Sequence, residues 1–310
     1  MIQATKVAED VQASAKIATL REMVTNYFRW KDVASGSEHS RRAYRIDITR
    51  LARFIGEDAP VDALNRFSLH RYSAELHKSG LAVRSRSRAL YYARDLIKWA
   101  ATAGIYPDNF ALALKMPRIP KTIPKVPTAE EVNSMLDGGC PTSWPERDRC
   151  AVELLYCDLR VCELVAIDLR DRVSADQLLV KGKGKRERTI FLTPTAQKAI
   201  AEYLPSRRLL LEVRGVETEA LLINQKTAQR LTVHSVWRIV KALAHAKGLP
   251  QYISPVKLRG AYATHMLDGG APLSAVSQLL GHEDLSTTMR YVGGVNWNRM
   301  REAYDRTFKR

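Results

Sequence analysis

The 310-residue sequence predicts a mainly α protein with a small β-sheet, divided into two domains. Three observations carry this reading. Apolar residues recur at helical spacing through most of the chain. Two short β-rich runs, Gln177–Val180 and Thr189–Leu192, flank the basic turn 181–188. Four prolines fall within residues 115–127 (Lys-Met-Pro-Arg-Ile-Pro-Lys-Thr-Ile-Pro-Lys-Val-Pro). Each proline removes a backbone donor and biases its predecessor towards extended conformations, so this stretch is expected to be a stiff, basic linker.

Before the linker, residues 16–30, 38–55, 68–79 and 84–103 show apolar residues three and four apart, separated by Gly56, Gly80 and Gly104. Residues 1–114 are therefore expected to form a helical domain. In its last helix, Arg84, Arg86 and Arg88 precede the apolar stripe Leu90, Ala93, Ile97 and Ala100. Basic side chains beside the aligned N–H groups of a helix start suit phosphate contact, and solvated charge is the alternative.

After the linker, Thr128-Ala129-Glu130-Glu131 gives a capping-box start, and residues 128–170 read as helices. The two strands and their basic turn follow. Thr193-Pro194 then marks a helix over 194–204, and helical patterning continues to the end of the chain. Residues 128–310 are expected to form the second domain, with a tail helix at about 296–310 carrying Trp297, Met300, Tyr304 and Phe308 at helical spacing.

Lys and Arg exceed Asp and Glu by 49 to 33, a formal charge of +16. The excess is shared: residues 1–127 hold 22 basic and 12 acidic side chains, and residues 128–310 hold 27 and 21. A polyanion could be gripped by both domains, and nucleic acid is the foremost such partner. No apolar run approaches the roughly 20 residues needed to span a bilayer, so a soluble, cytoplasmic, nucleoid-associated protein without membrane contact is expected. Cys140, Cys150, Cys157 and Cys162 show no CxxC pairing and read as small core residues in a reducing compartment.

The chemistry lies in four frames. Arg160 stands in Asp158-Leu159-Arg160-Val161-Cys162-Glu163-Leu164, and Leu258-Arg259 lies about a hundred residues on. His282 follows Arg259 by 23 residues in Leu279-Leu280-Gly281-His282, and Tyr291 closes the series. A phosphodiester repels nucleophiles, and attack builds further charge on its non-bridging oxygens. Two guanidiniums can clamp those oxygens with forked hydrogen bonds, which suits Arg160 and Arg259. A tyrosine hydroxyl, with an ordinary pKa of about 10, becomes a useful nucleophile beside such a clamp. His282, after a glycine at a helix end, suits a donor to the phosphate. A departing 5′-oxygen needs a proton, and a lysine at the hairpin tip could supply it. Lys181-Gly182-Lys183-Gly184-Lys185 offers three, and it is no phosphate-binding P-loop because GxxxxGK[ST] is absent.

In order and spacing, these residues resemble the tyrosine recombinases, or phage-integrase family, and its compact Xer-like two-domain members. The likeness spans roughly 37–310. It includes Ser87-Arg88-Ala89-Leu90 through Lys98-Trp99-Ala100, the proline-rich linker, Glu130-Glu131-Val132, the hairpin turn Gly182–Arg188, and Ala263-Thr264-His265 after Arg259. The resemblance implies a SAM-like core-binding domain followed by an α+β catalytic domain, and a site-specific DNA recombinase working through a 3′-phosphotyrosyl intermediate. It implies Arg160, Lys183, Arg259, His282 and Tyr291 as catalytic residues, with Lys181 and Lys185 gripping DNA or standing in for Lys183. Glu163 would buttress Arg160, with an ordinary surface carboxylate as the alternative. Four protomers would synapse two duplexes through a Holliday junction and exchange the tail helix in trans. The covalent link conserves the bond energy, so no ATP, metal ion or other cofactor is expected.

Three positions depart from the family pattern. Val256 stands where a histidine or lysine is usual, Gly260 where histidine commonly follows the arginine, and Asp158 where glycine usually precedes Leu159-Arg160. They keep open a DNA-binding pseudo-recombinase, with a type IB topoisomerase-like enzyme as a further alternative. Only about 20 residues precede the first helical pattern, so the separate arm-site domain of larger integrases is not expected.

Overall fold

The computed structural model describes residues 17–34, 38–120, 125–137, 142–182, 187–281, 284–289 and 304–305. The chain separates into two compact units, Met1–Lys121 and Thr122–Arg310.

The first unit contains helices α1 (Leu20–Ala34), α2 (Glu38–Ile55), α3 (Arg66–Lys78) and α4 (Val83–Thr102). Helix α1 starts four residues later than the periodicity suggests. Thr19 is drawn into a bridge with Pro60, and Ala18 and Thr19 donate their N–H groups to the Glu22 carboxylate. Asn65 caps α3 by accepting from the N–H groups of Phe67 and Ser68, and Ser68 returns the contact to the Asn65 N–H. The apolar stripes meet in one core: Leu20, Met23 and Tyr27 of α1, Tyr44, Ile48 and Leu51 of α2, Leu69, Tyr72 and Leu76 of α3, and Leu90, Ala93, Leu96 and Ile97 of α4. Such burial is worth about 1.5–3 kcal/mol for each large aliphatic side chain.

The second unit contains α5 (Ala129–Leu136), α6 (Pro145–Leu155), α7 (Val161–Ala166), strands β1 (Gln177–Lys181) and β2 (Glu187–Phe191), and α8 (Pro194–Arg214). Helices α9 (Val233–Ala246), α10 (Pro255–Asp268), α11 (Leu273–Leu279) and α12 (Leu285–Met289) complete it. Thr128 caps α5, with Glu131 reaching back to its N–H at 3.0 Å. The strands pair antiparallel, with Gln177 opposite Phe191 and Lys181 opposite Glu187. This register turns Leu178, Val180 and Ile190 into the core and the alternate residues outward. Helix α6, buried from Cys150 to Leu155, lies at the centre of that core.

Helix α8 runs past the expected stop at Pro205 to Arg214 and ends on left-handed Gly215. Tertiary contacts carry it through the proline. Trp144 donates to Ser206 Oγ at 3.0 Å, and the buried Arg207 donates to the carbonyls of Ala220 and Thr218. Cys150 and Cys157 are buried free thiols. The expectation that all four cysteines are core residues fails at Cys162, which is exposed because it occupies the solvent side of α7, and Cys140 lies outside the described residues. Among the described residues, no helix is long and apolar enough to cross a membrane.

Candidate active site

The site is built around a bend. Helix α6 ends at Leu155, and Asp158 takes a left-handed backbone conformation with φ +67. Aspartate tolerates this region better than most residues. The turn lets the chain re-enter the core at Leu159, so Arg160 stands just before α7 rather than within it. Glu163, in the first turn of α7, is almost wholly buried. Its carboxylate accepts from the Arg160 backbone N–H at 2.9 Å and from Arg160 Nη1 at 2.7 Å. The reading of Glu163 as a buttress for Arg160 fits this geometry, and the surface alternative does not.

A third guanidinium joins the two carboxylates. Arg188, at the start of β2, donates Nη1 and Nη2 to Glu163 at 2.9 and 3.0 Å. The same Nη2 reaches the Asp158 carbonyl at 3.2 Å and its carboxylate at 3.3 Å. Arg188 Nε is buried and has no acceptor among the described residues. Asp158 in turn accepts from Arg259 Nε at 2.6 Å, and Arg259 Nη2 donates to the Leu280 carbonyl at 3.2 Å. Arg160 and Arg259, separated by 99 positions in sequence, are thereby linked through Glu163, Arg188 and Asp158.

Burial pushes the two carboxyl groups up, but with different outcomes. For Asp158, burial outweighs the attraction of Arg259 and Arg188, and its pKa stays above the ordinary aspartate value. For Glu163, the hydrogen bonds from Arg188 and from the backbone and side chain of Arg160 overcome burial, and its pKa falls below the ordinary glutamate value. Burial lowers the affinity of Arg188 for its proton, but the pairing with Glu163 and Asp158 more than restores it.

Gly281 approaches the same cluster. It ends the turn after α11 with φ +63, and a Cβ there would stand 3.3 Å from Arg188 Cδ. The left-handed backbone favours glycine at this position, and any side chain there would also press on Arg188. His282, Tyr291, Lys183 and Lys185 lie outside the described residues, as does the expected tail helix apart from Tyr304 and Asp305. Lys181 is exposed at the end of β1, 3.8 Å from Asp171. Val256 sits in the first turn of α10, one turn before Arg259, with 63% of its surface exposed.

In the helical unit, Arg84 is exposed and Arg86 half-buried. Arg88 is taken up by an ion pair at 2.7 Å with Asp47, a wholly buried carboxylate that Arg50 also approaches at 3.3 Å. The Arg88 side chain is still half-exposed, and its Nη1 is unspent among the described residues. The exposed face of α2 carries Arg42, Arg45 and Arg53 beside Ile46, a basic stripe that the sequence reading did not single out.

Comparison with known proteins agrees with this architecture. Residues 125–294 match the Phage integrase family, and residues 25–104 match the phage integrase N-terminal SAM-like domain. The chain is 32% identical over 273 residues to tyrosine recombinase XerC of Alcanivorax borkumensis, covering 87% of each chain. It is 32% identical over 265 residues to XerD of Mycobacterium tuberculosis, covering 80% of this chain and 85% of that one. In fold it is similar to a lambda integrase dimer bound to a core site, with TM-score 0.71 and 18% identity over 90% of this chain and 96% of that one. It is also similar to XerH recombinase bound to a palindromic substrate, with TM-score 0.72 and 15% identity over 97% and 94%. The chain belongs to the phage integrase family of tyrosine recombinases.

Proposed function

We propose that the chain is a site-specific DNA recombinase that cuts and rejoins duplex DNA through a 3′-phosphotyrosyl intermediate. The observation that carries this reading is the linked pair of arginines. Arg160 spends only Nη1 on Glu163 among the described residues, and its half-exposed guanidinium keeps Nε and Nη2 for a phosphate oxygen. Arg259 is held by Nε and Nη2, which leaves Nη1. Donors already fixed in place stabilise charge that develops in the transition state without reorganising.

In this reading Tyr291 gives its hydroxyl proton to solvent and attacks the scissile phosphorus, whose bond to the 5′-oxygen breaks. Lys183 protonates that leaving oxygen, and His282 donates to a non-bridging oxygen. The freed 5′-hydroxyl of one duplex then attacks the phosphotyrosine of the other, releasing tyrosine. The bond count is unchanged, so no ATP is consumed. Both units contact DNA, with Arg84, Arg86, Arg88, Lys181 and Lys185 as phosphate ligands, Arg88 through the Nη1 that its pairing with Asp47 leaves unspent. XerH and lambda integrase were captured on DNA, the latter also as a tetramer on a Holliday junction. A tetramer on synapsed DNA, with the tail helix exchanged in trans, is proposed for this chain by kinship, in the cytoplasm.

The test uses a duplex site enriched from a random pool by this protein and built as a nicked suicide substrate. The expected product is a covalent protein–DNA adduct resistant to denaturant and absent with Tyr291→Phe. Binding without any adduct would sink the reading, and relaxation of supercoils without junction formation would point to a topoisomerase.

A further inference from the structure

Arg188 was not among the expected catalytic residues, yet it connects, directly or through one carboxylate, the segments that carry Arg160, Arg259 and Gly281. It is the second residue of β2 and so anchors the hairpin whose turn carries Lys183. Through Glu163 it meets the segment holding Arg160, and through Asp158 the guanidinium of Arg259. Its Cδ lies against Gly281, the residue before His282. Both Nη atoms of Arg188 are taken by Glu163 and Asp158 and its Nε is buried, while Asp158 is itself an acid, so neither is placed to receive a phosphate.

We propose that Arg188 and Asp158 form a positioning pair, a buried ion pair that sets the hairpin, the Arg160 segment and the Arg259 guanidinium in one register for the scissile phosphate. The pair touches no reacting atom and acts through the groups it holds, so the inference rests on the recombinase reading above. A guanidinium suits the task because its planar fork binds Glu163 with two parallel bonds while one nitrogen also reaches Asp158. The single ammonium of a lysine cannot span both. Asp158 supplies two things at once, a left-handed turn and a carboxylate aimed at Arg259 Nε. Glycine would supply the first without the second.

That difference gives the experiment. Single-turnover cleavage of the nicked suicide duplex and affinity for a half-site would be measured for the wild type, Asp158→Gly, Asp158→Asn, Arg188→Lys and the Asp158→Gly/Arg188→Lys double variant. A displacement of about 1 Å among catalytic groups costs on the order of 10²-fold in rate. Asp158→Gly and Arg188→Lys should each slow cleavage by about that factor, with half-site affinity within about twofold of wild type. Asp158→Asn, which tolerates the left-handed turn and keeps an acceptor for Arg259 Nε, should recover to within about tenfold of wild type. Because the two residues act as a pair, the double variant should be no slower than the slower single variant.

Wild-type cleavage by Asp158→Gly would overturn the proposal, since only the backbone turn would then matter. Multiplication of the two effects in the double variant would also overturn it. If Arg188→Lys fails to fold, the comparison of Asp158→Gly with Asp158→Asn decides alone. Absence of an adduct with the wild type itself would instead refute the recombinase reading, and the positioning role with it.

Discussion

Glu163→Ala should be among the most damaging single changes in the second unit. The Glu163 carboxylate accepts four hydrogen bonds, two from Arg160 and two from Arg188, at 2.7 to 3.0 Å. Removing one partner of a buried ion pair costs about 3–5 kcal/mol, because the other charge is left uncompensated. Two features favour the lower end of that range. Arg160 is half-exposed and can turn to water, and Arg188 keeps Asp158. We therefore expect a loss of about 3 kcal/mol, a fall of roughly 6–12 °C in melting temperature for a unit of this size. Glu163→Gln should lose nearly as much, since its amide nitrogen would point a donor at a guanidinium. Glu202→Ala, which removes only an exposed partner of Lys198 at 3.8 Å, should stay within about 0.5 kcal/mol of wild type. The assay is chemical and thermal denaturation of the full chain, with the transition of the second unit followed separately. The sign with pH is fixed as well. The Glu163 pKa is depressed in the fold, so its contribution is present above the ordinary value of 4.5 and lost as pH falls through the folded value. The gap between wild type and Glu163→Gln should therefore close on acidification. Asp158 is raised, so its contribution is present below 3.8 and lost as pH rises through its folded value; Asp158→Asn should gain on wild type over that interval. Equal melting of Glu163→Ala and Glu202→Ala at neutral pH would refute the buried-pair account.

Three further expectations concern the reaction. Tyr291→Phe should abolish the covalent adduct while leaving DNA affinity within about twofold, because affinity is spread over many phosphate contacts; persisting adducts would move the nucleophile elsewhere, with Tyr262 and Tyr304 the first places to look. Tyr262 is the less apt of the two, since burial pushes its hydroxyl up to about 12. Val256→His, at an exposed position one turn before Arg259, should fold normally and raise single-turnover cleavage by about 10- to 100-fold, given that positioned acid–base groups contribute roughly 10²–10⁴-fold. An unchanged rate would mean another group does this work, and Lys257→Ala would test the nearest candidate. Truncation after Val295 should preserve half-site binding but weaken cooperative filling of a full site in gel-shift titrations, and undiminished cooperativity would place the tail helix in cis.

Much of the architecture was legible because it is local. Period-3.6 stripes gave the helices, the Thr128 capping box gave the start of α5, and the β-rich runs gave the hairpin to within two residues. The limits came where tertiary contacts override local signals. The pattern predicts this helix over 194–204, yet α8 continues through Pro205 to Arg214, with Trp144 and Arg207 bonded alongside. Arg88 reads as a phosphate ligand, and no local signal shows that it also pairs with Asp47, 41 positions away. Asp158 reads as a departure from a glycine, and its left-handed backbone shows that the conformational demand survived while a carboxylate was added. Arg188 left a usable trace: in a strand whose residue Ile190 faces the core, Arg188 must face the same way. A guanidinium on an inner face demands carboxylates, and Asp158 and Glu163 were the two acids already flanking Arg160.

The charge balance of the cluster follows from the same contacts. Three guanidiniums, Arg160, Arg188 and Arg259, face two carboxylates, Asp158 and Glu163. Among the described residues the excess is a single positive charge, and it is unevenly placed. Arg188 is enclosed by acceptors, Arg259 is fixed along one edge, and Arg160 keeps the most exposed guanidinium and the most unspent donors. An arriving phosphate would meet that excess on the Arg160 side first. In the proposed reaction, the carboxylates that hold the arginines would also moderate their attraction for the ground-state monoanion, so that such a clamp would favour the more highly charged transition state over tight binding of intact DNA.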